Sequence, residues 1–177
     1  MIIYRKLDKT GYIYHYKNDN IIIGNSKHTF LFRPFRISVS DDIEKFELKQ
    51  TAHLLKIINS LPLLNIKTFT PFYLFKNGEK VAKLKTKIFK PIFYFTLDGN
   101  EYTLIHKGNN SIIFLCNDKQ IARYTKETLA VAEQNTYVVD FNAETMSKTF
   151  VLLMCIFIDV IFYPNRMHID YVKLEYM

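Results

Sequence analysis

The chain has 177 residues, 49% apolar and 15% aromatic, with 24 Lys and Arg against 17 Asp and Glu. This composition excludes disorder, and a chain of this length buries about two thirds of its unfolded surface, so we expect one domain over 1–177. The two cysteines, Cys116 and Cys155, lie far apart without a CxxC pair, which excludes a disulfide framework and predicts free buried thiols.

The first sixty residues predict strands and then a helix. The strand patterns are GYIYHYK (11–17), IIIGNS (21–26) and HTFLFRPFRISV (28–39). From Asp41 to Leu61 the apolar residues recur at helical spacing, Asp41 with Glu44 forms a capping-box pattern, and Pro62 follows. We therefore expect an outer amphipathic helix over 41–61, packed by one face.

Residues 71–141 contain six or seven short alternating runs that turn dipeptides separate. The turns are Asn77-Gly78, Asp98-Gly99 and Asn117-Asp118. An Asn-Gly dipeptide between alternating runs is a strong hairpin signal, because both residues adopt the positive φ that a type I′ turn requires. This half of the chain predicts an antiparallel meander.

The stretch SKTFVLLMCIFIDVIFY, residues 147–163, is the most apolar part of the chain. A helix over its residues 149–163 reaches about 22 Å against a hydrocarbon core of about 30 Å. Asp159 makes insertion still less favourable, so a spanning helix is not the preferred interpretation. An apolar helix without a polar face needs cover on all sides.

These elements predict a mainly β (α+β) fold, in which an antiparallel β-barrel of about 10–12 strands encloses the C-terminal helix. Closure removes the exposed strand edges, and the helix fills the interior. Because an unpaired buried carboxylate is too costly, we expect Asp159 to lie at a barrel mouth or to meet a donor.

This order of elements resembles the tubby C-terminal-like superfamily, which includes the LURP-one-related proteins and the phospholipid scramblases. The resemblance rests on the repeats PFYLFKNGEKVAKLK, FYFTLDGNEYTLIHK and IIFLCNDKQIARYTK and on the closing TFVLLMCIFIDVIFY, over about 61–164. It implies a twelve-stranded barrel around a central helix and an outer surface that engages lipid headgroups. A further strand over 171–176 would depart from that pattern. The scramblase branch adds the alternative that the terminal helix leaves the barrel and enters lipid.

Basic residues are unevenly spread, with seven against two acids in 1–40 and six against two in 71–100. Lys83, Lys85 and Lys87 alternate along one predicted strand, which sets three ammonium groups on one face. Such a row attracts anionic lipid surfaces, or it protects an exposed edge strand from aggregation. Arg33 and Arg36 suit bidentate phosphate binding, or they are solvated at a bend. These five residues are the candidate anion-binding site.

Enzyme chemistry has no support in the sequence, because GxSxG, HExxH, GxxxxGK and GxGxxG motifs are absent and the five histidines are scattered. We therefore expect no cofactor, no metal and no catalytic residues. The N-terminus MIIYRKLDKT has no apolar core for secretion, so a cytoplasmic location, peripheral at the membrane, is the expectation.

The expected function is a non-enzymatic binding module for anionic phospholipid headgroups at the cytoplasmic membrane face. The alternative is a structural or protein-interaction domain with no lipid ligand. Nucleic acid ranks below both partners, since the chain has no zinc finger, RNA-binding signature or recognition helix.

Overall fold

A computed structural model describes residues 2–8, 11–17, 22–27, 36–50, 71–86, 92–108, 110–129, 134–162 and 171–176. The chain begins with β1 (Ile2–Asp8), β2 (Gly11–Lys17), β3 (Ile22–Lys27), β4 (Arg36–Ser40), β5 (Lys45–Gln50) and β6 (Phe72–Lys76). It continues with β7 (Glu79–Thr86), β8 (Ile92–Leu97), β9 (Asn100–Gly108), β10 (Ser111–Cys116), β11 (Lys119–Leu129) and β12 (Gln134–Phe141). The helix α1 (Lys148–Phe162) and the strand β13 (Tyr171–Tyr176) follow. The protein is mainly β.

Strands β1 to β12 pair in chain order as antiparallel neighbours. Strand β13 instead pairs in parallel with β12, from Thr136 opposite Tyr171 to Phe141 opposite Tyr176. Parallel neighbours need a crossover connection, and α1 supplies it. The helix spans about 22 Å and β12 about 26 Å, so α1 returns the chain over the length of one strand.

Strands β1 and β13 are brought beside each other by this strand order. They meet through the single residue pair Ile2 and Tyr171, whereas β1 pairs with β2 along its whole length. The structure confirms a mainly β and mostly antiparallel sheet with one helix among the described residues. A seam of one pair does not by itself close the sheet into the predicted barrel.

The predicted hairpin turns are present and have positive φ angles. Asn77 and Asn117 have φ angles of 51° and 46°, and each locks its turn to a neighbouring strand. The Asn77 N–H donates to the Lys45 carbonyl, and the Lys45 N–H donates to Asn77 Oδ1, both at 2.8 Å. Asn117 makes the same reciprocal pair with Glu101, at 2.8 and 2.9 Å. These asparagines therefore bind adjacent hairpins together at one end of the sheet.

The helix α1 forms the centre of the core, and the prediction over 147–163 is confirmed to within one residue at each end. All its residues from Thr149 to Asp159 are buried. The side chains Phe150 and Phe157 contact aromatic rings from four strands, with centroids 5.1–6.1 Å away. Those rings are Phe46 of β5, Phe72 of β6, Phe93 of β8 and Phe114 of β10. The sheet therefore covers the helix on several sides.

The carboxylate of Asp159 meets two donors inside this core, as the sequence led us to expect. The Lys126 ammonium of β11 and the Tyr137 hydroxyl of β12 both donate to Asp159 Oδ1 at 2.7 Å. The side chains of Lys126 and Asp159 are at most 1% exposed. This buried ion pair fixes the depth and rotation of α1 against β11 and β12.

The outer helix predicted over 41–61 is wrong where the structure describes the chain. Residues 45–50 form β5, and 51–61 lie outside the described residues. Phe46 and Leu48 are both buried, which is the two-residue period of a strand, while Ile43 is 90% exposed. The apparent capping residue Asp41 accepts hydrogen bonds from the N–H groups of Ile43 and Glu44, but it closes a turn between β4 and β5.

We expect Lys126→Met to lower the free energy of unfolding by roughly 3–5 kcal/mol, because it leaves the Asp159 carboxylate buried without its cation. The double variant Lys126→Met/Asp159→Leu should recover most of that loss, since it removes both charges together. Urea unfolding of the two variants and the wild type measures both values. Equal destabilisation by the single and double variants would contradict an ion pair as the reason for the loss.

Candidate anion-binding surface

The outward face of β5 to β8 carries basic side chains between aromatic rings. Ala82 and Leu84 of β7 are buried, so the alternating Lys83 and Lys85 lie on the outer face and are exposed. Lys85 stands opposite Tyr94 of β8, which is 37% exposed. The structure thus places Lys83 and Lys85 on one face of one strand.

Aromatic rings hold several of these ammonium groups on the surface. The Nζ atoms of Lys80 and Lys83 lie 3.9 and 5.8 Å from the ring centroid of Tyr73 on β6. On β5, Lys49 Nζ lies 4.2 Å from the ring centroid of Phe75. Cation–π contacts at exposed sites contribute about 0.5–1 kcal/mol each. They partly offset the repulsion between neighbouring lysines and so keep positive charge concentrated on this face.

The ladder between β7 and β8 is short. Within the described part of these strands it has two residue pairs, Lys85 with Tyr94 and Thr86 with Phe93. Strand β7 also has a bulge at Val81, where its register with β6 shifts. A bulge bends the strand that carries it and increases its twist. Strand β7 accordingly parts from β8 on the side of Val81.

A cleft of about 440 Å³ opens where the two strands part. Ala82 and Phe95 form buried parts of its lining, and Tyr94 stands at its side. Its rim carries three lysines, Lys80, Lys83 and Lys85. None of the three forms an ion pair with another described residue. The cleft therefore offers a compact anion three ammonium groups that no described carboxylate neutralises.

A second basic cluster on this face surrounds Glu47 of β5. Arg36 Nη2 and Lys45 Nζ contact Glu47 Oε1, the latter at 3.2 Å, and Lys49 Nζ lies 2.7 Å from Oε2. Burial raises the pKa of Glu47, but hydrogen bonds from Lys49, Arg36 and Lys45 outweigh it and lower the pKa to about 2. The carboxylate stays ionised near neutral pH, and all three cations are engaged.

The candidate residues from the sequence fall into three groups. Lys83 and Lys85 come together on the rim of the cleft. Arg36 lies on β4, where its guanidinium contacts Glu47, so it is not part of the cleft. Lys87 and Arg33 lie outside the described residues.

Sequence reasoning missed Tyr73, Lys80 and Tyr94 as members of this surface, and Glu47 as the centre of the second cluster. The Asn77-Gly78 hairpin signal brings β6 beside β7, but the bulge at Val81 shifts the pairing by one residue. The sequence of β6 and β7 has no pattern that predicts this bulge. The neighbours of each lysine are therefore a result of the structure.

The described residues contain neither a group of metal ligands nor a membrane-spanning helix. Across the described ranges, no group of three or more His, Cys, Asp and Glu side chains could hold a metal ion. In the same ranges no helix has both the length and the apolar character needed to cross a bilayer.

Comparison with protein families matches residues 43–163 to the model of the Tubby C-terminal like domain. The match covers more than half of the chain. The chain belongs to the Tubby C-terminal like family. No curated protein and no solved structure gives a significant match. Membership of this family agrees with a non-enzymatic binding module, and the match contains both the basic cleft and α1.

We expect the stabilising effect of the Glu47 carboxylate to depend on pH. Its folded-state pKa, about 2, lies below the ordinary value of 4.5, so the stabilisation is complete above about pH 4.5 and is lost as the pH falls towards 2. Urea unfolding of the wild type and Glu47→Gln from neutral to acidic pH measures this effect. Their difference in unfolding free energy should shrink over that window.

Glu79→Gln is the matched control, because Glu79 is an exposed carboxylate of the same sheet without an ion pair to the described residues. A Glu47→Gln difference that stays constant from pH 7 to acidic pH would contradict the cluster as the source of the stabilisation.

Proposed function

We propose that this tubby-like domain binds anionic phospholipid headgroups at the cytoplasmic face of a membrane. The cleft between β7 and β8 is the proposed site, and Lys80, Lys83 and Lys85 are the proposed contacts. The observation that carries the proposal is the set of three rim lysines that no described carboxylate engages. The alternation of the sequence extends the row to Lys87.

Electrostatics sets the expected strength of this binding. A Lys near an anionic bilayer contributes about 1 kcal/mol, so three give about 3 kcal/mol, or roughly a hundredfold preference over a neutral bilayer. Tyr94 stands beside them, and tyrosine suits the region between water and the apolar phase. The association is therefore weak, reversible and sensitive to salt, as expected for a peripheral protein.

The shape of the domain supports an outward-facing site. We propose that the seam between β1 and β13 completes a barrel around α1, as in the family that the chain belongs to. Among the described residues the helix α1 fills the interior of the sheet, so the proposed binding occurs on the outer face. The resemblance to LURP-one-related proteins and scramblases belongs to this proposal.

A protein partner is the second candidate, and the parted strands favour it. On the side of Val81, the described residues of β7 and β8 do not pair with each other. An unpaired strand edge can accept an added strand. The basic rim would select an acidic peptide. Such a partner would bind the protein in the absence of lipid.

We expect the protein to float with vesicles of phosphatidylcholine and phosphatidylserine at about 0.1 M salt, but not with phosphatidylcholine alone. Flotation should disappear at about 1 M salt, where the Debye length falls to about 3 Å. The variant Lys83→Glu/Lys85→Glu should lose flotation, because it reverses two charges at the cleft.

The matched control is Lys107→Glu/Lys119→Glu, which reverses two exposed lysines on β9 and β11 away from the cleft. It changes the net charge equally and should keep most of the binding. Equal loss in both variants would show that net charge, and not the cleft, drives flotation. Flotation that resists salt with both vesicle types would point to insertion of α1, and absence of flotation would favour the protein partner.

A further inference from the structure

The carboxylate of Glu47 is unusually enclosed for a side chain on the outer face of a sheet. Phe46 and Leu48 are buried in the core, so Glu47 points to the opposite face, together with Lys45 and Lys49. Its side chain is nevertheless only 4% exposed, whereas those of its three cations are 36–49% exposed. The cations fold over the carboxylate and cover it.

Both carboxylate oxygens of Glu47 are used in this arrangement. Oε1 contacts Arg36 and Lys45, and Oε2 contacts Lys49. Charge-assisted contacts of this kind, with an arginine and two lysines around one anion, are also how proteins bind phosphate groups. The cluster thus has the donors of an anion site, and a side chain of the same protein occupies it.

The position of the cluster makes this occupancy relevant to the proposed function. Register places Arg36 opposite Lys49, Lys49 opposite Tyr73, and Tyr73 opposite Lys83, in one row across β4 to β7. Without Glu47 this row would present cations continuous with the basic rim of the cleft. With Glu47 in place, the cations of β4 and β5 are engaged internally.

We propose that Glu47 is a built-in counter-anion that occupies a second anion site, formed by Arg36, Lys45 and Lys49, and so confines anion binding to the cleft. The proposal deepens the proposed function by naming the residue that limits its specificity. The protein binds a compact phosphate group at one place and disfavours extended polyanions along the whole face. Removal of the Glu47 charge opens the second site to phosphate-type anions.

The test is a titration with pyrophosphate followed by amide NMR of the full chain. In the wild type we expect shifts of β7 and β8 amides near the cleft and none at Arg36, Lys45 and Lys49. In Glu47→Gln we expect new shifts at those three residues, with an affinity for pyrophosphate at least about fivefold higher than in the wild type. Glu79→Gln gains the same unit of charge and should show neither change.

Each outcome decides the proposal. Shifts at Arg36, Lys45 and Lys49 in the wild type would overturn it, because the site would then be open with Glu47 present. Equal gains in Glu47→Gln and Glu79→Gln would overturn it as well, since net charge alone would account for them. Thermal unfolding checks that both variants fold, and the wild-type shift map remains decisive if Glu47→Gln does not.

The result is separable from the proposed lipid function. If wild-type protein neither floats with anionic vesicles nor binds pyrophosphate at the cleft, the proposed function fails. New pyrophosphate shifts at Arg36, Lys45 and Lys49 in Glu47→Gln would still establish the occupied site. Conversely, salt-sensitive flotation without those new shifts would support the lipid function and reject the role of Glu47.

Discussion

A helix without a polar face must be covered on every side, and this constraint organises the domain. The sheet supplies the cover with aromatic rings from β5, β6, β8 and β10 and with the buried pair to Asp159 from β11 and β12. The ion pair is not an efficient source of stability, since desolvation offsets much of its attraction. Its value lies in specificity, because a helix that is apolar all round has few other features that fix its rotation. Burial also raises the pKa of the Cys155 thiol on the same helix, which keeps that cysteine unreactive.

Because the inward positions of β5 to β8 are buried in the core around the helix, the proposed recognition uses their outward positions. On β5 to β8 these positions carry lysines, tyrosines and one enclosed glutamate. The bulge at Val81 lies beside the cleft with its basic rim. The core and the proposed site thus use alternate residues of the same strands, so surface charge can change without repacking the core.

Much of this fold could be predicted from local chemistry. The Asn-Gly and Asp-Gly turns require positive φ, and the apolar run that ends before Pro164 contains the buried helix α1. The capping pattern at Asp41 misled the prediction, since the same side-chain hydrogen bonds close a turn. Phe46 and Leu48 have the two-residue spacing of a strand. In so short a run, this spacing is hard to distinguish from that of a helix. From the sequence, no strand was predicted over the residues of β1.

The site was less accessible to sequence reasoning, because it depends on register. Lys83 and Lys85 follow from alternation alone. Tyr73 and Lys80 join them only through the one-residue shift at Val81. Arg36 was predicted to bind an anion such as phosphate, and the group it contacts in the structure is the Glu47 carboxylate on the neighbouring strand. Such pairings arise from sheet geometry, which composition and spacing do not contain.

We propose that α1 stays covered by the sheet while the outer face binds anionic lipid. Hydrogen exchange followed by mass spectrometry, with and without phosphatidylserine vesicles, tests it most directly. We expect slower exchange on vesicles for 80–86 and 92–97, and unchanged exchange for 111–126 and 149–159. Faster exchange of 111–126 on vesicles would show a shell that has lost its helix and would contradict the account.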